Sequence, residues 1–360
     1  MSNEKKCVMT GATGHVGYAL LLDLINNGQR PTILIRKDSK MFDGLNCDKA
    51  FGDVTDLPSL EKAFEGAEVV YHLAGMIEIK EGYEDVIYNV NVNGTKNVVA
   101  ACKKCGVKKL VYMSSVDTYP PLPNEQLMTE LSHYDPDILE GAYAKTKAEA
   151  TQYVLDCNGT DGLETVVVQP SACIGPYDFK VSSIGEMVRM FLAGLFPVSL
   201  AFGAYNFVDI RDVAYGTRMA AEKGKPGECY ILCGDAMTVD EFIRTMADVL
   251  CQKPPVLKLR KGLVDVVAPV MEVYYKATDS TPLITRYSIR KLVSNCNFSY
   301  QKAQQDLGYD PMTVDESLRD MINWIIKNEG NPKDPAVKAK KAAAKKAAKE
   351  KEKEKKKAKK

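Results

Sequence analysis

The sequence predicts an α/β protein: a doubly wound, mostly parallel sheet with a smaller, mostly C-terminal second unit. Three observations carry that expectation. Short apolar runs of strand length alternate with helical patterns of roughly 10–20 residues through the first half of the chain. The first run opens directly onto a glycine turn, Thr10-Gly11-Ala12-Thr13-Gly14-His15-Val16-Gly17. Beyond Gln169 the strict alternation is lost.

The elements follow in order. Cys7-Val8-Met9 reads as a strand, the glycines as a turn, and Val16 to Asn27 as a helix. A helix N-terminus presents free backbone N–H groups and the positive end of the helix dipole, which together favour a pyrophosphate. Gly11 would permit the tight turn, Gly14 a close approach of the phosphates, and Gly17 close packing of helix on strand. Thr13, His15 and Val16 lie in the same loop and are expected at the nucleotide. The spacing is G-x-x-G-x-x-G.

The second apolar run, Pro31 to Ile35, ends in Arg36-Lys37. An acidic residue here would accept from a ribose 2′-hydroxyl, whereas basic residues would pair a 2′-phosphate. Arg36 and Lys37 therefore favour NADP(H) over NAD(H), against the plainer reading of a solvated basic turn. Next comes Phe51-Gly52-Asp53-Val54, where Asp53 would either accept from the adenine amino group or cap the helix near Leu57. Val69 to Gly75 is a fourth buried strand, ending in small residues where backbone can approach a cofactor, at Leu73 and Ala74. His72 there reads as a core histidine. A long helix carries Asn91-Val92-Asn93-Gly94-Thr95 and leads to the strand Lys109 to Met113, ending in Ser114-Ser115. All these termini are carboxyl ends of parallel strands, so they should line one crevice.

Residues 117–138, with four prolines, read as an irregular loop over that crevice. The following helix holds Tyr143 and Lys147, four apart and so on one face. With these residues in place the chain resembles the extended short-chain dehydrogenase/reductases, the NAD-dependent epimerase/dehydratase superfamily. The resemblance rests on the glycine loop, Asp53, Asn91-Val92-x-Gly94-Thr95, Ser114-Ser115, Tyr143-x-x-x-Lys147, Pro170-x-x-x-x-Gly175-Pro176 and Phe207 to Ala214. It spans residues 5–328. The Arg36 turn, Gly175 to Lys180 and Leu307-Gly308-Tyr309-Asp310-Pro311 look most like the branch of dihydroflavonol reductases and 3β-hydroxysteroid dehydrogenases.

The resemblance implies a Rossmann-type nucleotide domain and a set of roles. Tyr143 would be the acid/base, and Lys147 would lower its pKa and hold the nicotinamide ribose. Ser115 would bond the substrate oxygen, Asn91 would support the lysine through water, and Val54 and Pro170 would border the cofactor. It implies an NADP-dependent oxidoreductase interconverting a ketone and a secondary alcohol. Sugar-nucleotide epimerases and dehydratases resemble it too, but carry an Arg before the strand that begins here at Phe207. Gly203-Ala204-Tyr205-Asn206 lacks it. A non-catalytic NADP-binding regulator would be expected to have lost Tyr143 or Lys147. The apolar stretch 187–196 and the aromatics Tyr177, Phe179, Phe202 and Tyr205 suggest walls for an apolar, steroid- or flavonoid-like substrate.

The expected domains are 1–170 plus 207–225 for the nucleotide, 171–206 plus 226–330 for substrate, and a disordered Lys-rich tail over 331–360. Within the tail, residues 333–360 hold 14 Lys against 4 acidic residues, leaving a body with 34 basic and 43 acidic residues that offers nucleic acid no electrostatic footprint. No apolar run reaches the roughly 18–20 residues of a membrane span. The apolar helix 262–276 could rest on a membrane surface, with interdomain packing the preferred reading. The 10 cysteines, without a signal peptide, read as reduced thiols of a cytoplasmic protein. Cys102 and Cys105 have no companion pair or His cluster, so no metal site is expected. A homodimer is compatible with all of this.

Overall fold

The computed structural model describes residues 6–77, 82–123, 126–195, 198–278, 286–334 and 337. The chain begins β1 (Cys7–Thr10), α1 (His15–Asn26), β2 (Thr32–Ile35), β3 (Asp48–Phe51), α2 (Leu57–Phe64) and β4 (Val69–His72). It continues through α3 (Glu84–Tyr88), a π-helical turn (Asn89–Asn93), α4 (Gly94–Lys104), β5 (Lys109–Met113), α5 (Ala142–Asp156) and β6 (Glu164–Pro170). After these come β7 (Ala172–Ile174), α6 (Ser183–Leu192), β8 (Val198–Leu200), β9 (Ala204–Asp209), α7 (Ile210–Lys223) and β10 (Cys229–Leu232). Last are β11 (Asp235–Thr238), α8 (Val239–Val249), β12 (Leu257–Leu259), α9 (Lys261–Thr278), α10 (Arg286–Leu292), α11 (Gln301–Leu307) and α12 (Val314–Glu329).

Seven strands form one parallel sheet in the order β10-β6-β5-β4-β1-β2-β3. Apart from the exposed edge strand β3, its strands bury both faces, as their near-continuous apolar runs require. Along β1, Val8 turns to a core built with α2, α4 and α5, while Cys7 and Met9 turn to one built with α1, α7 and α11. That alternation is what places helices on both faces.

A second, three-stranded sheet, β11-β9-β7, packs its own core with α6, α8 and α12. Two segments divide between the sheets. Phe207 to Asp209 pair with β7 and β11, not with the large sheet. Cys229 to Leu232, wholly buried and apolar, complete the edge beside β6.

The expected apolar wall at 187–196 is also different. Val188, Phe191 and Leu192 of α6 are spent on the core shared with α8 and α12, and Phe196 lies outside the described residues. In α9, Val264 and Ala268 pack near Ile289, while Leu263, Val266 and Val267 stay exposed. No helix among the described residues is long and apolar enough to cross a membrane.

After α12 the chain stays in contact with the body over residues 331–334 and at 337. Pro332 is buried, Lys333 Nζ donates to Gln252 Oε1 at 3.1 Å, and Val337 lies against Gly330. The turn at Gly330 brings the chain back onto the body. Residues 335–336 and 338–360 lie outside the described set.

Candidate active site

The glycine turn is shaped by what surrounds it. Gly11 has φ +79°, and a β-carbon there would stand 2.6 Å from the backbone of Leu73 and Ala74 at the end of β4. A β-carbon at Gly17 would collide with the Gly11 carbonyl. Only glycines let strand, turn and helix close this tightly. Gly14 is the N-cap of α1 and no side chain caps the helix, so the first amides face the crevice unclaimed. This cradle fits a nucleotide pyrophosphate.

From the turn a cavity of about 780 Å³ runs across the carboxyl ends of the strands. Gly11, Gly14, His15, Val16, Gly17, Leu73, Ser115, Tyr143, Lys147 and Pro170 all line it. Thr13, Arg36, Lys37, Asp53, Val54, Ala74 and Asn91 are not among its lining. Arg36 and Lys37 project from the end of β2 into solvent. Val54 belongs to the core and limits Gly94, whose β-carbon would stand 2.9 Å from it. Asp53 does not cap α2, whose N-cap is Asp56. Its Oδ1 instead accepts from Thr55 N (2.9 Å) and Oγ1 (2.8 Å), and Oδ2 stands 3.8 Å from Arg36.

The two serines after β5 point opposite ways. Thr151 Oγ1 donates to Lys147 O, so Ser114 Oγ, 2.6 Å away, donates to Thr151 and is turned into the core. Ser115 Oγ accepts from Asp117 N (3.1 Å) and lines the cavity together with Tyr143.

Lys147 is 4% exposed, and its Nζ donates to Met113 O (2.7 Å) and Tyr112 Oη (3.3 Å). Burial without a carboxylate pulls its pKa down to about 7. Tyr143 stands four residues before Lys147 on α5. Burial pushes the phenol well above 10, the Asp117 carboxylate adds to that, and the Ser115 hydroxyl opposes it. The Lys147 Nζ is aimed at Met113 and Tyr112.

Asn91 sits in the π-helical turn, buried at 1% exposure. Its Oδ1 accepts from Met76 N (2.7 Å), and its Nδ2 donates to Met76 O and Thr146 Oγ1, both at 3.1 Å. The side chain thus fastens the segment after β4 to α5. Asn91 Oδ1 and Lys147 Nζ each come within 3.4 Å of where a Gly75 β-carbon would stand, so the two converge behind that glycine.

His72 is a core group. Thr95 Oγ1 donates to Asn91 O (2.6 Å) and so must accept from His72 Nε2–H (3.0 Å), leaving Nδ1 to accept from Thr10 Oγ1 (2.8 Å). Burial and the neighbouring Lys147 hold its pKa down at about 3, so it stays neutral.

The rest of the cavity is largely apolar: Met113, Tyr119, Met128, Ile138, Leu139 and Phe298. Of the four aromatics expected as walls only Tyr205 lines it. Tyr177 and Phe179 pack against Tyr18 and Trp324 beside the glycine turn, and Phe202 joins the small cluster near α9. The sequence reading missed the far wall, residues 290–298. There Lys291 Nζ meets Asp117 Oδ1 at 2.7 Å, and Asn295 Nδ2 donates to the carbonyls of Pro123 and Gln126, both at 2.7 Å. No periodicity marks pairs nearly 170 residues or more apart.

Fold and crevice together define a nicotinamide-nucleotide enzyme of the short-chain dehydrogenase/reductase type. The chain belongs to the 3-beta hydroxysteroid dehydrogenase/isomerase family, whose model matches residues 8–222. It is 29% identical over 327 residues to Sterol demethylase protein B of Methylococcus capsulatus, covering 88% of this chain and 97% of that one. It is 26% identical over 356 residues to a 3 beta-hydroxysteroid dehydrogenase/Delta 5-->4-isomerase of Mycobacterium tuberculosis, covering 94% and 95%. Among solved structures, gox2253 shares 30% identity with a TM-score of 0.79, covering 91% of this chain and 99% of that one. MoeE5 in complex with UDP-glucose and NAD, at 20% identity and TM-score 0.69 over 89% and 99%, shares the fold.

Proposed function

We propose that this protein is an NADP-dependent oxidoreductase that interconverts a ketone and a secondary alcohol on a largely apolar small molecule, steroid- or flavonoid-like. The observation that carries the reading is that Ser115, Tyr143 and Lys147 face one largely apolar cavity continuous with the uncapped end of α1. Bound along that crevice, the reduced nicotinamide would supply the hydride. Tyr143 gives its phenolic proton to the substrate oxygen, and Ser115 bonds the same oxygen. Lys147 holds the ribose and balances the charge left on Tyr143. Asn91 keeps the wall behind Lys147 in place and supports it through water. Arg36 and Lys37 at the end of β2 favour a 2′-phosphate.

A sugar-nucleotide substrate would bring a diphosphate, and the stretch before Phe207 supplies no arginine for it. The test is to incubate the purified protein with NADPH and steroid, flavonoid or aryl ketones. Stoichiometric NADPH consumption with an apolar ketone is expected, in protein that purifies free of bound nucleotide. Tightly retained cofactor and conversion of a nucleotide sugar at constant NADPH would refute it.

A further inference from the structure

Residues 175–182, between β7 and α6, lie as a strap across the glycine turn. His15 Nε2 donates to Pro176 O at 2.7 Å. Tyr18 of α1 meets Phe179 edge-on at 5.0 Å between ring centroids and Tyr177 at 5.5 Å. Trp324 of α12 closes on Phe179 from the other side, also at 5.0 Å. Asp178, buried, is held by Arg189 (2.9 Å) and by Ser182 N (2.8 Å), and Arg189 in turn binds Glu329. The strap keeps two non-glycine residues at positive φ, Tyr177 (+72°) and Val181 (+45°), a conformation retained only when the surroundings over-determine it.

What this anchoring presents is Lys180. Its Nζ donates to Thr13 Oγ1 at 3.0 Å, across 167 residues of sequence. It has no carboxylate partner among the described residues. Arg36, from the end of β2, is near enough that its charge, after burial, helps pull the Lys180 pKa down. Among the described residues Arg36 has only Asp53, 3.8 Å away, to offset it. A cation held on a hydroxyl beside a nucleotide cradle, with a second cation at the neighbouring strand end, favours an anion between them.

We propose that Lys180, with Thr13 and Arg36, binds the 2′-phosphate of the dinucleotide, so that the strap leading into α6 completes the adenosine end of the site. The inference rests on the NADP reading above. It adds a cofactor residue from outside the nucleotide-binding half and ties cofactor choice to the segment that borders the substrate cavity at Ser182, Ser183 and Ile184.

Fluorescence titrations of the full chain with NADPH and with NADH test it, on wild type, Lys180→Met, Lys180→Arg and Arg36→Met. Lys180→Met should raise the Kd for NADPH about five- to tenfold and leave that for NADH within about twofold. Lys180→Arg should restore most of the NADPH affinity. An equal loss for both nucleotides would mean that Lys180 only supports the strap or the pyrophosphate, and no loss would mean that it binds neither; either overturns the proposal. If wild type prefers NADPH and Arg36→Met removes that preference while Lys180→Met does not, this inference fails and the NADP reading stands. If wild type binds NADH as tightly as NADPH, both fail.

Discussion

Replacing Lys147 by methionine should stabilise the fold near neutral pH while disabling the site, and pH should reveal why. The amine sits at 4% exposure without a carboxylate, held at about 7 against an ordinary 10.5. Between these values the unfolded chain binds a proton that the folded chain does not. Stability therefore rises with pH through the window, by up to about 1.4 kcal/mol per pH unit. At about pH 7.5 the buried amine costs roughly 4 kcal/mol. The substitution removes that cost but leaves Met113 O and Tyr112 Oη without their donor, a loss of about 1–3 kcal/mol. The variant should be more stable by about 1–3 kcal/mol at about pH 7.5, and level with or below wild type by about pH 9.5. Urea unfolding of both proteins across that range gives the difference directly, since the other groups titrate alike in each. A difference that does not change with pH would refute the claim that burial holds the Lys147 amine below its ordinary pKa.

Tyr143→Phe should lower kcat by at least about a hundredfold and leave the NADPH Kd within about twofold, and substantial residual turnover would reassign the acid. Gly17→Ala places a methyl against the Gly11 carbonyl; it should weaken NADPH and NADH alike by at least about tenfold, and unchanged titrations would show that the turn relaxes. His72→Leu leaves the Thr10 hydroxyl without its acceptor and removes the donor to Thr95. It should destabilise by about 1–3 kcal/mol in urea melts, and a change below about 0.5 kcal/mol would show that the network adds little.

The sequence by itself determined the strand–turn–helix start, the alternation that builds the parallel sheet, and the shared helical face of Tyr143 and Lys147; that Ser115 joins them beside the glycine turn is what the family resemblance implied. These are local signals. Glycine at a tight junction, apolar runs of strand length and a four-residue helical spacing each act within a few residues, and parallel topology then gathers strand ends on one side. Only the tertiary structure decided the rest. It turned Ser114 inward and Ser115 outward, gave β10 to the large sheet and β9 to the small one, and spent Val188, Phe191 and Leu192 of α6 on a core while its first residues border the cavity. It also aimed the Lys147 ammonium at Met113, closed the far wall with Lys291 on Asp117, and carried Lys180 to Thr13. Each of these joins groups far apart in the chain or depends on which neighbour takes up a buried polar atom. Burial and hydrogen-bond partners are properties of the assembled packing, so no periodicity or spacing in the chain encodes them.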